Sequence, residues 1–322
     1  AEDLAFNQTI GHIGENPLSQ EQLTYLDFYR KNRDSYTGSE DVTPVAVLRS
    51  YASLTYNNAG AQLSAILVEQ ALIQSGIPFA LIFDEHLQEL SKYKTLIRPN
   101  SECLSDNQIA RIRRFVSEGG DLVATGQAGL YDEWRRMRTQ PGLHGLVVDQ
   151  VQGLAYQEEV VSQTIVPGAI TRNHVGSGRV AYVPALPFAG VMPPAQPDFE
   201  ITNIFWKRPA NWKELIEAIR WATADPLPLT LDGPEFLVAN CTSQTTNRRF
   251  FVHLVNYNAE HVQSLTSIHA QVVLPGGNKP SKVTLHTPES AVGRPLDFTN
   301  SSSGTRFMVP EMRSYALIAV EW

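Results

Sequence analysis

The side chains in this 322-residue chain that could make or break bonds are two cysteines, eight histidines and a scatter of carboxylates. Cys103 follows an apolar run and precedes a helix start, where a helix N-terminus would lower a thiol pKa. No histidine lies near it in sequence, and Cys241 falls in a different domain, so neither a disulfide framework nor a C-x-x-C site is expected. The histidines are scattered without an H-x-H or H-x-x-x-H pair, which gives a metal site no support. Glycoside hydrolysis needs two carboxylates about 5 to 9.5 Å apart. The candidates are Glu85, Asp132, Glu133, Asp198 and Glu200. Adjacent acids such as Asp132 and Glu133 point in different directions on any regular element and make a poor pair.

The densest mixture of acids, arginines and aromatics is the run Tyr131-Asp132-Glu133-Trp134-Arg135-Arg136. It follows the end of an apolar strand pattern, where open parallel sheets place their ligand sites. Tyr56, Asn57 and Asn58 follow the first such strand and should reach the same edge. Such residues suit sugar hydroxyls, another domain or a neighbouring subunit, since arginine and aromatics favour interfaces. No Gly-x-Gly-x-x-Gly or phosphate-loop pattern occurs, and Gly119–Gly120 close a helix rather than open one, so no cofactor is expected.

These residues are carried by alternating strand and helix patterns. Apolar runs at 43–50, 78–83, 94–98, 121–125 and 178–184 read as buried parallel strands, the last closing the sheet. Helices read over 60–75, closed by Gly76, and from the capping boxes Ser19/Gln22 and Ser105/Gln108. A short acidic helix carries Leu87 and Leu90, and Asn211 with Glu214 should cap another helix. Asp225-Pro226-Leu227-Pro228 then breaks the chain. Beyond it lie six short β-rich runs separated by turns such as Pro275-Gly276-Gly277, the pattern of a small antiparallel sandwich. The expected domains are a lead-in helix over 1–40, an α/β domain over 41–226 and a β-sandwich over 227–322.

Lys plus Arg count 26 against 33 Asp plus Glu, a formal net charge of −7, and no basic run interleaves with aromatics, so nucleic acid is an unlikely ligand on electrostatic grounds. No stretch approaches the roughly 20 apolar residues that span a bilayer. Cysteine usage leaves the compartment open.

Two segments carry a family likeness. The first orders "SGIPF", a Tyr-Lys-x-Leu-x-x-Pro strand and a helix ending Phe-Val-x-x-Gly-Gly-x-Leu-Val; the second is "FFVHLVNYN". Together they resemble the trimerisation domain and C-terminal β-domain of family 42-type β-galactosidases, the former similar in fold to class I glutamine amidotransferases. The resemblance implies a flavodoxin-like, amidotransferase-like sheet. An active amidotransferase would place a cysteine in the turn after the fourth strand, as Gly-x-Cys-x-Gly. Here that turn reads Gly126-Gln127-Ala128-Gly129, and the Gln127 amide cannot act as a nucleophile. The family's catalytic (β/α)₈ barrel would precede residue 1, whose surroundings look like its tail. The expected function is therefore a non-catalytic accessory and oligomerisation part of a glycoside hydrolase. Its partners would be the barrel, further copies of the chain and the parent enzyme's carbohydrate substrate. The alternatives are a stand-alone hydrolase or transferase using Cys103 or another nucleophile, and a sugar-binding protein with exposed aromatics among Phe236, Phe250, Phe251, Tyr257, Phe298 and Tyr315.

Overall fold

The structure is a computed structural model that describes residues 1–6, 18–127, 129–147, 169–188, 208–223, 226–258 and 263–322. It divides into two compact units, one of Ala1–Thr43, Ile73–Pro78 and Pro226–Trp322 and one of Pro44–Leu72 and Phe79–Asp225. Asp198 and Glu200 lie outside the described residues.

The chain opens with α1 (Glu2–Ala5), α2 (Gln20–Lys31), α3 (Arg33–Tyr36) and the short strand β1 (Glu40–Asp41). The capping box at α2 forms as the spacing predicts: Gln22 N donates to Ser19 Oγ at 3.2 Å and Ser19 N to Gln22 Oε1 at 2.8 Å.

The α/β unit follows with β2 (Val45–Arg49), α4 (Tyr51–Tyr56), α5 (Asn58–Ile73), β3 (Phe79–Phe83) and a 3₁₀ segment at Asp84–Lys92. It continues through β4 (Thr95–Arg98), α6 (Asp106–Ser117), β5 (Asp121–Thr125), β6 (Thr171–Val175), β7 (Gly178–Val183) and α7 (Trp212–Ala222). Its sheet runs β3-β2-β4-β5-β7-β6. Strands β2, β3, β4, β5 and β7 are parallel, and β4, β5 and most of β2 and β7 are buried, the all-apolar signature of a sheet covered on both faces. The chain leaves β2 towards β3 on one side and returns to β4 on the other, so the switch in strand order lies between β2 and β4.

Two expectations need correction here. Strand β7 does not close the sheet, because the polar antiparallel strand β6 pairs outside it. Asn211 precedes α7 without capping it through its side chain, which instead donates from Nδ2 to Ala185 O at 2.9 Å.

The sandwich comprises β8 (Leu229–Asp232), β9 (Leu237–Gln244), β10 (Arg249–Asn256), β11 (Leu265–Val272) and β12 (Lys282–His286). It ends with β13 (Arg294–Pro295), β14 (Phe298–Ser301), β15 (Gly304–Met312) and β16 (Tyr315–Glu321). A six-stranded sheet, β1-β9-β10-β16-β12-β13, faces a four-stranded one, β14-β15-β11-β8. The six expected runs all form strands, while β8, β13 and β14 are additional short ones. Between the sheets lie Leu237, Cys241, Phe250, Val252, Leu254, Ile268, Val309 and Ile318, all buried. The opposite face of the larger sheet, carrying Phe251, Val255, Tyr315 and Leu317, packs against Leu4, Ala5, Phe28 and Tyr36 from the N-terminal segment.

Candidate functional site

The C-terminal ends of β2, β4 and β5 bring the sequence-predicted residues to one edge. After β2, Ser50 Oγ accepts from Ser53 N at 3.4 Å and so caps α4. Both Ser50 Oγ and Ser53 Oγ donate to Cys103 O at 3.2 Å, and Cys103 N returns a bond to Ser53 Oγ at 3.0 Å. The loop after β4 is thereby tied to the start of α4. Tyr131 N donates to Glu102 O at 2.9 Å and Leu104 N to Tyr131 O at 3.1 Å, which ties the loop after β5 to the same place.

Glu102 sits at the junction with a side chain only 2% exposed. Asn57 Nδ2 donates to its Oε2 at 3.2 Å, and Arg135 Nη2 lies 3.5 Å from its Oε1. Burial raises its pKa, which Asn57 and Arg135 partly offset. Arg135 also donates from Nη1 to Tyr56 O at 3.0 Å and stands 5.6 Å from the centre of the Tyr131 ring. Asn57 and Arg135 thus meet on a carboxylate that the sequence reading did not single out, and Tyr56 O and the Tyr131 ring meet the same Arg135 guanidinium. The available signal was an acid just after an apolar strand, beside Cys103 and on the edge already under suspicion.

The remaining predicted residues do not join this cluster. Asp132 Oδ1 accepts from Trp134 N at 2.9 Å and Arg136 N at 2.8 Å, bonds that lower its pKa and shape the loop. Asn58, Glu133, Trp134 and Arg136 are exposed, Trp134 by 63%. Glu85 is likewise exposed, so no facing carboxylate pair forms among the described candidates.

At the turn after β5, Gly126 has φ +60, and a Cβ there would lie 2.4 Å from Asn100 Oδ1. The same Asn100 Oδ1 accepts from Gln127 N at 2.8 Å. The Gln127 amide proton is therefore taken. Tyr182 OH donates to Gly126 O at 2.8 Å and Arg98 Nη2 to Gln127 O at 3.4 Å. Arg98 is fully buried, and no carboxylate pairs with it among the described residues. Cys103 is also fully buried, and burial together with Glu102 pushes its thiol up to about 12. That is the setting of a small core residue and the reverse of the activation a helix N-terminus could give. Among the described residues no cluster of His, Cys, Asp and Glu could hold a metal ion, and no helix is long and apolar enough to cross a membrane.

With this edge in view, residues 70–160 match the family model described as the β-galactosidase trimerisation domain. The chain has the fold of the C-terminal region of family 42-type β-galactosidases. The β-galactosidase from Bacillus circulans sp. alkalophilus superposes with a TM-score of 0.58 at 16% identity, over 97% of this chain and 46% of that one. A family 42 β-galactosidase from G. stearothermophilus gives 0.57 at 15%, over 94% and 44%. The α-L-fucosidase isoenzyme 2 from Paenibacillus thiaminolyticus gives 0.60 at 15%, over 95% and 53%. The chain thus spans about half the length of these solved structures. No curated protein matches it in sequence. The trimerisation-domain match begins in α5 and takes in β3, β4, α6, β5 and the 131–138 loop, so it covers Glu102, Tyr131 and Arg135, while Tyr56 and Asn57 precede it.

Proposed function

We propose that the chain is the non-catalytic assembly part of a β-galactosidase-like glycoside hydrolase, built on an amidotransferase-like scaffold that has lost its reactive centre. The match of residues 70–160 to the trimerisation domain carries this reading. The Gln127 turn and the inert setting of Cys103 support it, because neither provides an activated nucleophile. In this reading the catalytic barrel supplies the acid/base and nucleophilic carboxylates, and the carbohydrate binds there.

The 131–138 loop is the docking element. Its inner residues Tyr131 and Arg135 are fixed by Glu102 and Tyr56, while Trp134 and Met137 stand 63% and 54% exposed. A loop that presents an aromatic, a methionine and arginines has the composition of an interface core. Sedimentation of the natural full-length polypeptide tests this. The wild type should sediment as a trimer, and Trp134→Asp combined with Met137→Asp should shift it towards monomer. A double variant that sediments as a trimer like the wild type would reject the docking role of the loop. A monomeric wild type would reject the assembly role itself.

A further inference from the structure

The aromatics suited to gripping a sugar are not free to do so. Phe250, Phe251 and Tyr315 are fully buried, and Phe236, Tyr257 and Phe298 are only partly accessible. The outer face of the four-stranded sheet offers a different chemistry. A cleft of about 460 Å³ opens there, lined by Thr230, Asp232, His269, Gln271, Arg306 and Met308 among others.

The strand register sets these side chains in two rows. Asp232 lies opposite His269, which lies opposite Met308; Thr230 lies opposite Gln271, which lies opposite Arg306. Neighbouring strands are about 4.8 Å apart and same-face residues about 7 Å apart along a strand. The six residues therefore make a platform roughly 10 Å by 7 Å. It is held in place from within: Arg306 Nε donates to Gln271 Oε1 at 2.7 Å, and Gln271 Nε2 donates to Ser303 O at 2.6 Å. Those bonds use Nε of Arg306 and leave its two terminal nitrogens without a partner among the described residues. Asp232 has no ion pair there either. One acceptor-only group and one donor-only group thus face a shared cleft, next to the 42% exposed thioether of Met308.

We propose that this face binds a neutral oligosaccharide. A hydroxyl both donates and accepts, so a polyol satisfies Asp232 and Arg306 together. Met308 offers the polarisable apolar surface on which the C–H face of a sugar ring can rest. An anionic ligand would suit Arg306 and be repelled by Asp232, and a cationic one the reverse. The site lies wholly within the sandwich and does not depend on the assembly role of the α/β unit.

The test is calorimetric titration of the full chain with β-1,4-galactotetraose, cellotetraose and a sulfated tetrasaccharide. At least one neutral sugar should bind saturably with a Kd below about 10 mM. Arg306→Ala and Asp232→Ala should each weaken it at least about tenfold, as expected for lost bonds to a charged group, with an unchanged Tm. Absence of binding by both neutral sugars overturns the proposal. So does binding that both variants leave intact, or binding confined to the sulfated sugar. Sedimentation of the same samples reports on the assembly role separately, so the two readings can fail independently.

Discussion

His253, in the middle of β10, has both ring nitrogens engaged: Nε2 with Thr242 Oγ1 at 3.0 Å and Nδ1 with Tyr315 OH at 2.8 Å. Tyr315 OH in turn meets Tyr36 OH at 3.1 Å. Full burial holds the imidazole neutral, with its pKa lowered from 6.5 to about 3. The unfolded chain takes up a proton near pH 6.5 and the folded chain does not. Stability is therefore full above that pH and declines as pH falls from about 6.5 towards 3, by at most about 1.4 kcal/mol per pH unit. Burial lowers His286 in the same direction, so the comparison must be made against a variant. Urea unfolding at pH 7 and pH 5 should show His253→Gln losing about 2 kcal/mol less on acidification than the wild type. Equal losses would show that the ring is not held neutral. The cysteines give a second residue-scale prediction. Both are buried with raised pKa values, so Ellman's reagent should find no reactive thiol in the native chain at pH 7.5 and both after denaturation. Rapid native labelling of Cys103 would revive the stand-alone hydrolase. Gln127 was legible in sequence because a turn after an apolar strand is a local pattern. Glu102 was not, since its burial depends on Asn57 and Arg135, which sheet order brings from 45 residues before it and from the loop after β5.

The same contrast separates the elements. The box opening α6 forms as its spacing predicts, Gln108 N donating to Ser105 Oγ at 3.3 Å and Ser105 N to Gln108 Oε1 at 2.7 Å. Capping needs only residues three apart in the chain, and so the sequence reveals it. Ser105→Ala should cost about 1 kcal/mol in chemical denaturation, and an unchanged midpoint would mean the cap contributes nothing. The strands that escaped notice share a different character. Thr171–Val175 reads Thr-Arg-Asn-His-Val, polar and at the sheet edge, while Arg294–Pro295 spans only two residues. Edge strands are defined by their partner's backbone more than by their own apolar content, so single-sequence patterning passes over them. The partner's demands are visible at Gly178, the first residue of β7. A Cβ there would lie 2.2 Å from Gly120 O and 2.4 Å from Val116 O. Gly178→Ala should therefore lower stability by about 1–3 kcal/mol, more than Ser105→Ala, because backbone rather than a flexible side chain must move. Equal Tm values for the two variants would refute this close approach of β7 to the end of α6.

At the scale of the molecule, the N-terminal segment belongs physically with the sandwich, although the whole α/β unit separates them in sequence. Strand β1 adds to the edge of the larger sheet, pairing Glu40 with Ser243 and Asp41 with Thr242. Ahead of it, Phe28 meets Tyr315 edge-on at 5.7 Å, and Gln244 Nε2 donates to Thr37 O at 2.9 Å. Asn240 Nδ2 donates to Ala5 O at 2.9 Å, a buried bond that ties the first helix to β9. None of this could be read from α2 alone, whose apolar residues are few and whose partners lie more than 200 residues later. A sandwich deprived of residues 1–43 would expose Phe251, Val255, Tyr315 and Leu317 as one continuous apolar face. A face of that kind on a soluble protein drives association. Deleting residues 1–43 should therefore give a protein that binds a hydrophobic dye and aggregates on concentration. Phe28→Ala in the full chain should be milder, staying soluble but losing about 3–5 kcal/mol in unfolding of the sandwich. A deletion variant that stays monodisperse and keeps the wild-type thermal midpoint would show that the segment rests on the sheet without stabilising it.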